Sequence, residues 1–180
     1  RTYRVNAFLE QISNFDYDRG DLLALDVFLE TLVEDRENRP YLDRIYHVMA
    51  KHYLILDEDS TAVAYFNKSL QRKSKDSYLN ALNYHTIADL NFDDSNYTLA
   101  GAYYDSTLAH YKKNSKPHRL VKKRRDNLED VIFYESVAKE NDSILKLAAM
   151  PADALEAYFN NYITTLKEEA EKEEAEKAIK

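Results

Sequence analysis

Apolar residues recur along this chain with the spacing of a helix, and the pattern itself recurs. Residues 62–70 read AVAYFNKSL and residues 100–108 read AGAYYDSTL. At an offset of 38, Ala24, Ala62 and Ala100 fall in register; four positions later come Phe28, Phe66 and Tyr104, and after four more Leu32, Leu70 and Leu108. Upstream, Phe8, Tyr46 and Tyr84 align, followed by Ile12, Ala50 and Ala88. Steps of four hold each set on one helix face. The pattern therefore predicts two helices per repeat. A helices run over 4–15, 41–55 and 77–91, and B helices over 21–36, 59–74 and 97–113.

Polar stretches separate the predicted helices: DYDRGD (16–21), DEDS (57–60) and DDSN (93–96). Their Asp, Ser and Asn side chains are expected to cap the free N–H groups that open a helix. Pro40 and Pro117 fall near B-to-A junctions, where proline ends one helix without harming the next. After Pro117 the period is lost. Residues 118–140 read as one long helix, Asn141-Asp142-Ser143 as a cap, ILKLAAM as a short helix, and Pro151 as the start of a last helix. That helix carries Leu155, Tyr158, Phe159, Tyr162 and Ile163 before a tail, KEEAEKEEAEKAIK, with almost no apolar face. Such a tail is expected to be solvated, frayed or lacking its partner. The expected division is 1–116 for three hairpins and 117–180 for the C-terminal helices.

The order small, aromatic, aliphatic resembles the tetratricopeptide repeat (TPR). Tyr46, Met49-Ala50 and Tyr53 match its first helix, and Ala62, Phe66 and Ser69 its second. The third copy gives Tyr84, Ile87-Ala88, Ala100, Tyr104 and Thr107, departing at Asn91. The first is weakest, because Gln11-Ile12 replaces the large-small pair. Small residues let helices approach closely and aromatics fill the remaining gaps. The usual TPR period is ~34; the extra length lies between a B helix and the next A helix, where about one more helical turn is expected. The fold expected is all-α, a TPR-like solenoid of three hairpins followed by long C-terminal helices.

Composition fits this and narrows the chemistry. The chain has only 2 Gly and 3 Pro, too few for a fold of many turns. It has no Cys, which removes disulfides, thiolate metal sites and Cys nucleophiles. A formal net charge of −7 argues against nucleic acid as a partner. No run is long and apolar enough to span a membrane, and RTYRVNAFLEQ lacks the regions of a signal peptide. Without an initial Met, the chain reads as an excerpt whose targeting signal lies elsewhere. Gly-rich phosphate loops and GxSxG are absent, so no enzyme and no cofactor are expected. His47 and His52 are five apart, on different helix faces, with Asp43 nearby, and His110 and His118 have no convergent carboxylate; no metal site is expected. KKRR (122–125) precedes Asp126, Glu129 and Asp130 and is read as intrahelical ion pairing on a solvated face, ahead of a protein-docking patch. Among 15 Tyr, Tyr65 and Tyr103 are read as wedges between hairpins, ahead of binding surface.

ENRPYLDRIYHVMAKHYL (37–54), SYLNALNYHTIADLNFDDSNYTLAGAYYDSTL (77–108) and especially VIFYESVAKENDSILKLAAMP (131–151) resemble the PorW/SprE-type TPR lipoproteins of the Bacteroidota, which serve type IX secretion and, in gliding species, motility. That resemblance implies a periplasmic scaffold, held at the outer membrane by a lipidated cysteine outside this segment, linking translocon and motor components without catalysis. A TPR sensor region of a cytoplasmic signalling regulator is the alternative, and a small-ligand or hydrolytic domain a further one. In a TPR the A helices face the groove that takes a protein partner. The exposed groove positions are then Asn6, Leu9 and Ser13; Arg44, His47 and Lys51; and Leu82, His85 and Asp89. His47 and His85 are equivalent in adjacent repeats and are read either as ordinary exposed residues or as rungs of a polar ladder for a peptide.

Overall fold

The computed structural model describes residues 1–178, and no strand occurs among them. The helices are α1 (Thr2–Ser13), α2 (Leu22–Glu34), α3 (Leu42–Ile55), α4 (Asp59–Gln71), α5 (Ser77–Asp93), α6 (Tyr97–His110), α7 (Lys116–Asn127), α8 (Glu129–Ala148) and α9 (Ala152–Ala178). A 3-10 turn, Arg36–Tyr41, joins α2 to α3. The protein is all-α, as the spacing of its apolar residues predicts.

Side-chain caps open three of these helices. Asp21 Oδ1 accepts from the Ala24 N–H at 3.0 Å, and Asp76 Oδ1 from both Tyr78 and Leu79 at 3.0 Å. Ser115 Oγ accepts from His118 N–H at 3.4 Å, with Pro117 in the first turn of α7. DEDS and DDSN behave differently from expectation. Neither Glu58 nor Asn96, the residues before α4 and α6, makes a side-chain cap bond. Instead Asp57 (φ 58°) and Ser95 (φ 63°) take the left-handed conformation. The next N–H then reaches back over the finished helix, Glu58 to the Tyr53 carbonyl at 2.9 Å and Asn96 to Asn91 at 2.8 Å. These stretches close the preceding helix through the backbone.

The junction residues do not lengthen helices either. α4 ends at Gln71, with Lys73 (φ 51°) turning left-handed just beyond it, and α6 ends at His110 because Tyr111 swings to the extended region (φ −71°, ψ 145°). After α2, Pro40 sits in the 3-10 turn. Arg1 secures that turn, donating to Asn38 Oδ1 and pairing with Asp35 and with Glu37 at 2.9 Å.

Within 1–132, α3 packs along α4 and α5 along α6; α4 meets α5, α2 meets α3, α6 meets α7, and the A helices touch in turn, α1 to α3 and α3 to α5. Ala50, Ala62, Ala88 and Ala100 are fully buried, beside fully buried Phe66 and Tyr104. Burying a ring such as Phe66 contributes about 1.5–3 kcal/mol, and the alanines let the backbones close around it. The first repeat departs. Ala24 is exposed, and α2 buries Leu25, Leu29 and Leu32, a face turned one position round. Ile12 stands where the other repeats have Ala50 and Ala88, so α1 and α2 are not among the closely approaching helix pairs. A cleft of about 220 Å³ lies between them, lined by Ile12, Phe15, Ala24 and Phe28. Phe8 and Phe28 bridge the gap edge-on at 5.3 Å.

Residues 118–140 are not one helix. The chain turns at Leu128, whose N–H bonds to the Arg125 carbonyl three residues back (3.1 Å). Leu128 and Val121 are buried with Ala100 and Tyr104, and Ile132 packs on the same cluster. This burial ties α7 to the hairpins, and the chain forms two compact units, Arg1–Ile132 and Phe133–Lys180. In the second unit α8 continues through Asn141-Asp142-Ser143, where a cap is expected; the Ser143 hydroxyl donates back to the Lys139 carbonyl at 2.8 Å instead. ILKLAAM is therefore the end of α8 and not a separate helix. Pro151 does open α9, its carbonyl accepting from Leu155 N–H at 2.9 Å. Residues 179 and 180 of the charged tail lie outside the described residues.

Candidate partner-binding surface

The A helices α1, α3 and α5 form a row, because α3 touches both others. The nine expected groove residues lie on this row, but the row does not present all of them. Leu9 is buried in the core with Val5, Ile12 and Leu29 and is no surface residue, because it falls on the helix face of Val5 and Ile12, four and three positions away. Asn6 is half-buried, and its amide oxygen is buried with no hydrogen-bond partner. Ser13 is exposed, its hydroxyl donating to the Leu9 carbonyl at 2.9 Å. Arg44 and Leu82 are half-buried and Lys51 is exposed.

His47 and His85 occupy equivalent positions yet have different surroundings. His47 Nδ1 lies 2.6 Å from Asn83 Oδ1. An amide oxygen only accepts, so Nδ1 carries the proton. Asn83 Nδ2 donates to Ser69 Oγ at 2.8 Å, and that hydroxyl donates to the Asp43 carbonyl at 2.6 Å. The chain of bonds joins α3, α4 and α5. Burial pushes the His47 imidazole below its usual range, Lys51 adding to this and the Asn83 bond and Asp76 opposing it. His47 is thus neutral at pH 7.

His85 sits in a more open cluster. Its Nδ1 is 3.4 Å from the Tyr111 hydroxyl and its Nε2 3.6 Å from Asp89. Asp89 Oδ1 accepts from the Tyr104 hydroxyl and from Arg124, both at 2.6 Å. Arg124 also reaches the Tyr104 hydroxyl at 3.2 Å and lies over the Phe92 ring, 5.2 Å from its centre. Burial, and the bond to Asp89, push the Tyr104 hydroxyl well above the ordinary phenol range, so it remains a donor. KKRR is accordingly more than a solvated face. Lys122 pairs within its helix with Asp126 (2.7 Å), but Arg124 binds α5 and Arg125 binds Asp105 of α6 at 2.9 Å.

A third polar cluster surrounds His52, which is buried. Its Nε2–H donates to Asp26 Oδ1 at 2.9 Å and its Nδ1 meets the Tyr17 hydroxyl at 3.1 Å, tying α3 to the first repeat. No described group of three or more His, Cys, Asp or Glu is placed to hold a metal ion, and no described helix is long and apolar enough to cross a membrane. Tyr65 and Tyr103 are half-buried: Tyr65 stacks on Tyr53 with centroids 5.2 Å apart and planes 6° from parallel, and Tyr103 lies 6.3 Å from Tyr84.

Neither family models nor curated proteins give a match to this chain. The surface therefore has to be read from its own chemistry. Arg44, Lys51, Leu82 and His85 bring cations, an apolar side chain and an imidazole onto this row. The sequence places Ser69 and Tyr104 only as repeat positions and Arg124 only within KKRR, so their polar bonds were missed, as was Asn83, which interrupts the apolar spacing of Leu79 and Ile87, four residues away on either side.

Proposed function

We propose that the chain is a non-catalytic, TPR-type scaffold whose α1–α3–α5 row receives a protein partner. The observation that carries this reading is the row itself, backed by polar chains that fix its side chains from below. Asn83 and Ser69 hold His47 from behind, and Asp89, Tyr104 and Arg124 hold the surroundings of His85. Orienting a flexible side chain on binding costs about 0.5–1.5 kcal/mol, and a surface already held avoids much of that. The 38-residue repeat and the packing of each hairpin on its neighbour support the TPR assignment. Together with the resemblance of residues 37–54, 77–108 and 131–151, they support a place among PorW/SprE-type components of type IX secretion and gliding, periplasmic and held at the outer membrane.

Crosslinking followed by affinity capture from the native cell envelope tests this. Arg44→Glu with Lys51→Glu should lose partners that the unaltered chain captures, with the helical circular dichroism unchanged. Envelope secretion components in the lost set support the full reading. Capture of cytosolic signalling proteins alone overturns the secretion assignment in favour of a regulator, and full capture by the double variant overturns the groove.

A further inference from the structure

One face of α7 remains uncovered at the end of the first unit. Leu120, Lys123, Leu128 and Val131 line a cleft of about 500 Å³ floored by Phe92 and Tyr97. Leu120 and Lys123 stand on α7, Leu128 at the turn that ends it and Val131 on α8, a span of 11 positions; Leu120 is 62% exposed and Val131 41%. Lys123 is exposed at the rim and forms no ion pair among the described residues. The cleft is apolar inside with a basic edge.

The second unit holds its complement. In α9, Leu155, Tyr158, Phe159, Tyr162, Ile163 and Leu166 form one stripe over the same 11 positions, about 17 Å at the helical rise. Phe159 is 46% and Tyr162 53% exposed. Residues 152–174 carry 7 Asp and Glu (Asp153, Glu156, Glu168, Glu169, Glu171, Glu173, Glu174) against 2 Lys (Lys167, Lys172), a net −5. Residues 116–127 carry 6 Lys and Arg against Asp126 alone, a net +5. Half of those cations already answer Asp126, Asp89 and Asp105, leaving Lys116, Arg119 and Lys123 to meet an acidic helix. No side chain of α9 is buried over residues 152–174, which leaves this helix marginal in water, and an apolar stripe flanked by acid fits a basic-rimmed apolar cleft.

We propose that α9 of one copy docks in the α7 cleft of a second copy. A two-fold arrangement makes both contacts at once, each chain giving its α9 and receiving its partner's. The cleft borrows Phe92 from α5 but none of the nine groove residues, so the two readings are tested apart.

Residues 1–180 hold no cysteine, so the introduced thiols are the only ones in the chain tested. Leu120→Cys and Ile163→Cys, made in separate full-length chains and mixed under mild oxidation, can join only between copies. The expected result is a mixed disulfide in excess of a Tyr3→Cys plus Ile163→Cys control, and a two-chain mass by light scattering. Leu120→Asp and Phe159→Asp, both at exposed positions, should each return the chain to one-copy mass with its helical signal intact. Lys123→Glu should weaken association about fivefold, as for one exposed ion pair. A one-copy mass for the unaltered chain overturns the proposal. So does a dimer that survives both Asp variants, or a disulfide formed only when both cysteines share a chain, which would mean docking within one molecule.

Discussion

The three register alanines provide a sharp test of how this stack is held. Leucine in place of alanine adds three carbons, and the structure assigns opposite outcomes to the same change. Ala62 is fully buried among Ala50, Phe66 and Ile87, with α3 and α4 closed around it. A larger side chain there must push helices apart or distort rotamers, at about 1–3 kcal/mol. Ala100, fully buried beside Ala88 and Tyr104, should behave alike. Ala24 is exposed on the rim of the ~220 Å³ cleft between α1 and α2. A leucine there can fill open space, and burying one or two of its added carbons stabilises by about 1 kcal/mol at ~0.8 kcal/mol each. Ala24→Leu and Ala62→Leu should therefore differ by about 2–4 kcal/mol. In urea unfolding followed by far-ultraviolet circular dichroism, that gap separates the midpoints by roughly 1 M or more. Equal destabilisation at 24 and 62 would show that α1 and α2 are as tightly closed as the later pairs. A neutral Ala62→Leu would remove the close-approach argument altogether.

Two other expectations concern the polar chains. The unfolded chain protonates His47 near pH 6.5, whereas burial keeps the folded imidazole neutral to lower pH. The unfolded state then binds more protons, and stability falls as pH drops from about 6.5 toward the folded value. His47→Asn keeps a donor for Asn83 and removes the titration, so its melting temperature should fall less between pH 7 and 5; parallel curves would refute the assignment. Arg124→Ala removes the bonds to Asp89 and Tyr104 and the stacking on Phe92. The groups are half exposed, so about 0.5–1.5 kcal/mol should be lost, read as a shifted denaturation midpoint, and Arg124→Lys should recover only part of it.

What the sequence made legible was whatever repeats locally. Ala62 and Ala100, Phe66 and Tyr104 can be aligned on paper because each pair meets the same helix crossing. The first repeat misled for the same reason. Ala24 aligns perfectly, yet Ile12 opposite it is too large for the close crossing, and α2 presents its leucines instead. The end of the long helix at Leu128 was hidden because nothing local breaks it; the turn is set by where Leu128 finds a core. Asn141-Asp142-Ser143 has cap composition, but Ser143 is equally satisfied by the carbonyl four residues back. The polar clusters were least legible. His47 meets Asn83 at a separation of 36 and Arg124 meets Asp89 at 35; each partner is visible only once two hairpins are stacked.

Those separations have a mechanical meaning. Within residues 1–132, the bonds that join one repeat to the next reach across roughly one repeat and no further. Pulled at its ends, such a series of links shares one tension and gives way at its softest member, which here is α1 and α2, bridged by rings across a gap. Under such a load the chain would yield first at that N-terminal joint while the later hairpins kept their surface intact.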